Sequence, residues 1–366
     1  MTPPSSPYAP LAGVRIIDLT RLLPGPLATQ HLADFGADVV KVEDTGAGDY
    51  ANPAVRALVN RGKRAIRIDL KQPQGLAALL RLCRDADVLV EGFRPGVMQR
   101  LGAGYEAVAA VNPRIVYCSI SGFGQQGPLA DMPGHDINYT ALTGVADQMG
   151  SVHGPALSNL PLADLLGGTM GSVKEILAAL FCASRSGQGR HLDVSIARVL
   201  LQHAVVPLAA LHQQGRVQPV GQGRLTGALA CYGFYETADG RHVAVGALEP
   251  KFWEALCRKL GRPDLAALHH SGDDTVEHRV REELQTIFRG QALAHWAALF
   301  ADGQACVTPV LRLDETLAHP HFRGSHPAQP NAGAAAQPGE HTREVLREAG
   351  LADGEIDALL AARAVA

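Results

Sequence analysis

The chain has 366 residues, which at roughly 150 residues per domain sets an expectation of about two domains and rules out a peptide-sized module. Its 33 Lys+Arg stand against 36 Asp+Glu, a net charge of −3, with 46% hydrophobic and 19% charged residues. This balance supplies no basic stripe of the kind a nucleic-acid binder needs, so no nucleic-acid partner is expected.

From Val14 the sequence runs VRIIDLT, then LLPGPLATQHLADFGA, then DVVKVE. An apolar run, a helical stretch opened by turn residues and closed near a Gly, and a second apolar run make a βαβ rhythm. The rhythm continues through RAIRIDL, the helix candidate GLAALLRLCRDA, DVLVEGF and RIVYCSIS. Val- and Ile-rich runs of this kind suit a parallel sheet covered on both faces. Residues 165 to 183 predict a buried small-residue helix opening LLGGTMG, followed by HLDVSI and a long apolar helix near 196 to 212. The polar, Gly-rich QQGRVQPVGQGRLTG predicts a linker. After it, ACYGFYETADGRHVAVGA carries a DG hairpin turn, and helices are expected near 251 to 260 and 279 to 300. HPAQPNAGAAAQPGE at 326 to 340 is low-complexity, and a helix pair from Thr342 closes the chain. The division expected is a large domain from 1–195 with 340–366, a linker at 196–227, a small α+β domain at 228–310 and a second linker at 311–339. No internal repeat is visible.

The six cysteines (Cys83, Cys118, Cys182, Cys231, Cys257, Cys306) form no CxxC pair, against a disulfide framework or zinc ribbon and for a reducing compartment. MTPPSSPYAP lacks the basic and apolar regions of a signal peptide. The longest apolar stretch noted, Val199 to Leu211, is interrupted by Gln202, His203 and Pro207, too short and broken to span a bilayer. A cytoplasmic protein without a membrane partner is expected.

Gly122-Phe-Gly124-Gln-Gln-Gly127 follows the RIVYCSIS run, where a dinucleotide fingerprint would stand. Pro128 and Pro133 leave no helix to face a pyrophosphate, so a tight loop near a ligand is the better reading. His319-Pro-His321 with His326, and likewise His269 and His270, read as solvated histidines, and no metal site is expected. More informative is Pro133-Gly-His135-Asp136-Ile-Asn138-Tyr139, just ahead of the helix candidate TALTGVADQMG. The positive end of a helix favours the uncharged imidazole, a base at neutral pH, and its free N–H groups can hold an oxyanion. Asp164 is a lone carboxylate in an apolar run, either an N-cap or an acid whose protonated form burial favours.

The stretches LAGVRIIDLTRLLPGPLATQHLADFGADVVKVE, NRGKRAIRIDLK, EGFRPGV and SGFGQQGP resemble the family III CoA-transferases, the CaiB/BaiF superfamily, from about residue 10 to GEHTREVLREAG. PGHDINY, AVGALEPKFW and ACVTPVL resemble its alpha-methylacyl-CoA racemase branch. The resemblance implies an α/β fold with a Rossmann-like large domain built from both chain ends and a small α+β domain, in an interlocked homodimer. It also implies inversion at the α-carbon of a 2-methylacyl-CoA, in lipid metabolism, by two-base proton transfer through an enolate. His135 and Asp164 match the two acid/base positions, and Glu249 matches a glutamate hydrogen-bonded to the catalytic His. The helix start at Asp136 is the favoured oxyanion position. Lys41, Arg67, Lys71 and Arg94 lie where the family binds CoA phosphates, and Gly124, Gln125 and Gly127 lie near the pantetheine. CoA is part of the substrate, and no separate cofactor is implied.

Two alternatives stand beside this reading: CoA transfer through an aspartyl-CoA thioester at Asp164, and acyl-CoA binding without turnover. Racemases of this branch commonly carry Asn four residues before the Asp, where this chain has Leu160. The second linker, His319 to Gly339, is also short for the family.

Overall fold

The computed structural model describes residues 9–45, 52–151, 153–323 and 334–366. It divides into a first unit (Met1–Val145, Ser158–Ala204 and Pro327–Ala366) and a second (Ala146–Leu157 and Val205–His326).

In the first unit, strands β1 (Arg15–Asp18), β2 (Asp38–Glu43), β3 (Arg64–Arg67), β4 (Val88–Glu91), β5 (Val116–Ser121) and β8 (Arg190–Ser195) form a six-stranded sheet in the order β3-β2-β1-β4-β5-β8. All of its pairings are parallel. Successive side chains of a strand point to opposite faces, and here both faces are covered. Ile16, Val39, Val88, Val90, Val116 and Cys118 enter one core, while Ile17, Val40, Val42, Ile66, Leu89 and Tyr117 enter the other. This is why the strands read as continuous apolar runs rather than alternating ones. The C-terminal helices Thr342–Glu348 and Asp353–Ala361 add Val345, Leu346 and Ile356 to the second core. Val365 bridges to Ile68, so both chain ends build the unit.

The order reverses at β1 and β4. In open α/β sheets the crevice outside the carboxyl ends of the strands at such a point is where ligands bind.

In the second unit β9 (Tyr232–Glu236), β10 (His242–Gly246) and β11 (Val307–Pro309) form an antiparallel sheet in the order β11-β10-β9. Its core gathers Tyr235, Val243, Trp253, Leu256, Leu284, Phe288 and Trp296. The β9–β10 turn carries Asp239 and Gly240 (φ +69°), as the DG signal predicts. A two-residue hairpin, β6 (Gly150–Ser151) with β7 (Gly154–Pro155), belongs to the same unit.

Four expectations need correction. The long helix near 196 to 212 is two helices, Ile196–His203 and Val205–Gln214. Pro207 cannot donate to the carbonyl of His203 four residues back, which breaks the ladder at that point. Both helices fall inside the stretch expected to be a linker, and Leu313–Ala318 is a helix inside the second. The expected helix at 279 to 300 is Asp274–Phe288 and Leu293–Leu299, broken around Gly290. Finally, a longer apolar stretch than Val199 to Leu211 exists: the helical run Ala163–Ser186 has the length and composition to cross a membrane. Here its Gly167, Gly168, Ser172, Val173 and Ile176 are buried in the first unit's core.

Candidate active site

A cleft of about 450 Å³ opens at the carboxyl ends of β1, β4 and β5. It is lined by Thr20, Arg21 and Leu22 after β1, by Phe93 and Arg94 after β4, by Ser121 and Gly122 at the end of β5, and by His135, Asn138, Tyr139 and Asp164. The two residues singled out for proton chemistry therefore face one cavity, although they lie 29 positions apart in the chain.

His135 is held by its neighbours rather than by its own ring. The helix that follows runs Asp136–Leu142, so it begins four residues before the expected TALTGVADQMG and stops before Gly144 (φ +73°). His135 is its N-cap residue, and the His135 N–H donates to Asn138 Oδ1 at 3.0 Å. Tyr139 fixes the approach: its hydroxyl donates to the Gly134 carbonyl at 2.6 Å, and its ring meets Phe123 edge-on at 5.3 Å. A Cβ on Gly122 would stand 2.4 Å from the Tyr139 ring, which is why the β5 loop carries glycine there.

Asp164 is the second residue of a π-helical segment, Ala163–Met170, that runs into the helix Gly171–Ser186. It is not the N-cap, which corrects that reading. π-Helical turns concentrate at functional sites, and this one packs closely. Cβ atoms on Gly167 or Gly168 would lie 2.3 Å from the Ile196 carbonyl or 2.6 Å from Pro24. Asp136 is the joint between the two candidates: its Oδ1 accepts the Asp164 N–H at 3.0 Å. The helix start expected to hold an oxyanion is at Asp136, and the Asp136 side chain also positions Asp164. Burial pushes the Asp164 carboxyl up to about 6; the nearby Asp136 charge adds to this and His135 opposes it. An acid near neutrality beside an imidazole can give or take a proton without large cost.

The expected phosphate cations separate. Arg94 is exposed on the cleft lining. Lys41 is 3% exposed, and its Nζ donates to the Thr20 carbonyl and lies 3.4 Å from Asp18 Oδ1. Its side chain points beneath the cleft floor, which corrects its expected place at a phosphate. Arg67 ends β3 with its Nε buried and without a hydrogen-bond partner among the described residues, and Lys71 is exposed; neither lines the cleft. Gly124 and Gly127 take left-handed backbone (φ +93° and +106°). The Gln125 N–H donates to the Asp193 carboxylate at 2.9 Å, so the loop is anchored beside the cleft while Ser121 and Gly122 reach its lining. No helix begins between Gly122 and His135, as the prolines predict. Glu249, in the second unit, is exposed at the head of the helix Pro250–Lys259.

Sequence reasoning missed Arg21 and Phe93 as lining residues. The Arg21 guanidinium lies 5.6 Å from the Phe93 ring centroid, and both stand in quoted motifs, LTRLLPGP and EGFRPGV. Position directly after β1 and β4 is the signal that finds them. His269 and His270 are not the solvated pair expected: the His269 ring stacks on Trp253 and on His270. His326 lies outside the described residues.

A family model described as CoA-transferase family III matches residues 11–341. An alpha-methylacyl-CoA racemase of Homo sapiens is 36% identical over 94% of this chain and 95% of its own length. An acetyl-CoA:oxalate CoA-transferase of Acetobacter aceti is 35% identical over 86% of this chain and 84% of its own. Among solved structures, a CAIB/BAIF family protein from Brucella suis superposes with a TM-score of 0.81 at 26% identity, covering 93% of this chain and all of that one.

Proposed function

This chain belongs to CoA-transferase family III and is an enzyme of that transferase and racemase type; from that premise we propose that it inverts the α-carbon of 2-methylacyl-CoA thioesters. The observation that carries the reading is the sharing of one cleft by His135 and Asp164, with Asp164 held near neutrality. Inversion needs proton exchange on both faces of one carbon, hence two acid/base groups of unlike protonation state. In one direction neutral His135 takes the α-proton, an enolate forms, and protonated Asp164 returns a proton to the opposite face. The site is left as imidazolium and carboxylate, the pair that runs the reverse direction. The thioester carbonyl acidifies the α-carbon. Arg94 and Arg21 supply positive charge at the cleft for the CoA moiety. Glu249 enters as the hydrogen-bond partner of the histidine through the sequence resemblance alone.

A homodimer is part of the proposal. It rests on the sequence resemblance, and Ile137, Leu142, Met170 and Phe181, large apolar side chains left 49% to 62% exposed on the first unit, are candidates for the surface it would cover. The transferase reading draws its support from Asp164, which would serve as the nucleophile, and from relatives such as the Acetobacter enzyme.

The deciding experiment incubates the protein with one epimer of a 2-methylacyl-CoA in D₂O. Racemisation gives α-deuterium incorporation together with loss of epimeric purity, and His135→Ala should abolish the loss of epimeric purity, since one face of the carbon loses its base. Hydroxylamine trapping of an aspartyl adduct at Asp164, with no α-exchange, would replace the proposal with the transferase.

A further inference from the structure

We infer that Cys231, His269 and His270, a buried cysteine and half-buried histidines of the second unit, form a binding site for a thiophilic divalent cation, zinc being the ion the donor set fits best. The Cys231 sulfur and one ring nitrogen from each histidine all lie within 4.8 Å of one another. Thiolate and imidazole are the donors zinc takes, and around a tetrahedral ion they stand roughly 3.5 Å apart. Movements of about an ångström would therefore close the set.

Four features point to a ligand rather than to chance packing. Cys231 is 3% exposed. The Nε2 of His270 is buried and meets no hydrogen-bond partner among the described residues, an arrangement that costs free energy unless something fills it. His270 holds a left-handed backbone (φ +49°), rare and costly for a non-glycine residue, and this backbone brings its ring to 3.9 Å from that of His269. The Nε2 of His269 is 3.3 Å from the Ala247 carbonyl. A metal-binding histidine characteristically donates its second N–H to a backbone carbonyl, and this bond leaves Nδ1 for the ion.

Glu277 accepts from the Ala230 N–H at 2.8 Å and from the Ser271 N–H at 3.0 Å, so its carboxylate is fixed beside both ligand segments. One thiolate and this carboxylate supply two negative charges, and the charges of Arg224 and Arg281, which also act on Cys231, favour the thiolate form. Binding forms a sulfur–metal bond and releases the thiol proton to solvent. Three protein donors leave the fourth position to water. The consequence for the fold is local: the Ala247 N–H donates to the Cys231 carbonyl at 2.9 Å. Ala247 is thus tied to two of the three ligand residues, and the ion would stiffen the turn that leads to Glu249. None of this depends on the racemase proposal.

The test uses the full chain, stripped by chelator and titrated with Co²⁺ as the probe. One equivalent should bind per chain, giving tetrahedral visible bands and a sulfur-to-cobalt charge-transfer band, and equimolar Zn²⁺ should bleach both. Cys231→Ser should abolish the charge-transfer band. His270→Asn, which keeps a residue tolerant of left-handed backbone, should weaken binding by about a hundredfold, while Cys182→Ser changes nothing. Zinc should raise the melting temperature of the wild type and not that of Cys231→Ser. A wild-type cobalt spectrum lacking the sulfur band overturns the site whether or not the variants fold, and so does a band that persists in Cys231→Ser.

Discussion

Two aspartates of the first unit, fully buried Asp18 under the cleft and half-buried Asp164 on its wall, meet opposite fates. Asp18 is fully buried. Its Oδ1 accepts from the Thr20 N–H and hydroxyl, and its Oδ2 accepts from the Thr29 hydroxyl at 2.5 Å and from Lys63 at 3.1 Å. Burial pushes its carboxyl upward, but Lys41 and Lys63, then the two threonine hydroxyls, more than offset that and hold it well below the carboxylate range. For Asp164, burial first and then the Asp136 charge push the carboxyl up to about 6, and His135 opposes them; among the described residues no lysine or arginine bonds to it as Lys41 and Lys63 bond to Asp18. Burial pushes both carboxyls up. What differs is the cations supplied, and that difference separates a carboxylate that organises the floor from one left able to exchange a proton.

The largest expected effect follows from exchanging each carboxylate for an amide. Asp164→Asn removes one of two proton-transfer groups, and turnover should fall by about 10²- to 10⁴-fold, read as α-deuterium exchange, with the melting temperature unchanged or higher. Asp18→Asn strands Lys41 and Lys63 without their counter-charge. Breaking a buried pair from one side costs about 3–5 kcal/mol, which denaturant unfolding will register, while any folded fraction should retain its per-molecule turnover. If Asp164→Asn destabilises as Asp18→Asn does, Asp164 is structural and the comparison collapses.

The pH dependence of stability should carry opposite signs at the two sites. The folded-state value of Asp164, about 6, lies above its ordinary 3.8, so the native state binds the proton more tightly than the unfolded chain. That contribution is present below about pH 4 and is lost as pH rises through 6. Asp18 is depressed, so its contribution is present above its ordinary value of 3.8 and is lost as pH falls further. Unfolding free energies measured from pH 3 to pH 7 should therefore show Asp164→Asn gaining on the wild type between pH 4 and 7. The deficit of Asp18→Asn should shrink only below pH 4. Parallel curves for the two variants would contradict the assignment.

This contrast marks where the sequence stops being readable. DVVKVE announces a buried parallel strand, and in such a strand both faces are apolar, so no alternation tells whether Lys41 points to a ligand or beneath the floor. The neighbours that decide it, Asp18 and the Thr20 carbonyl, come from β1 and the loop after it. The parallel sheet, the hairpin at Asp239-Gly240 and the meeting of His135 with Asp164 in one cleft were all legible, from strand runs, turn chemistry and family motifs. The π-helical start at Ala163 was not, because a run of Leu and Gly reads alike for α and π ladders. Nor was the environment of His269 and His270, since the stacking of His269 on Trp253 joins residues 16 positions apart.

The smallest effects concern the hydroxyls that serve each site. The Thr29 hydroxyl donates to the Asp18 carboxylate at 2.5 Å, and a hydrogen bond to a charged group contributes about 1.5–3 kcal/mol. Thr29→Val should therefore cost stability of that order and leave kcat within about twofold. The Tyr139 hydroxyl donates instead to the neutral Gly134 carbonyl, a bond of about 1 kcal/mol, but that carbonyl precedes His135. Tyr139→Phe keeps the ring against Phe123 and frees the loop. A base displaced by a fraction of an ångström loses alignment with the α-carbon, and a full ångström can cost about 10²-fold, so kcat should fall about tenfold with KM little changed. The less destabilising substitution should thus be the more damaging to turnover. Equal losses of kcat in the two variants would mean that the floor and the wall of the cleft act on the reacting atoms alike, and that Tyr139 does not act through His135.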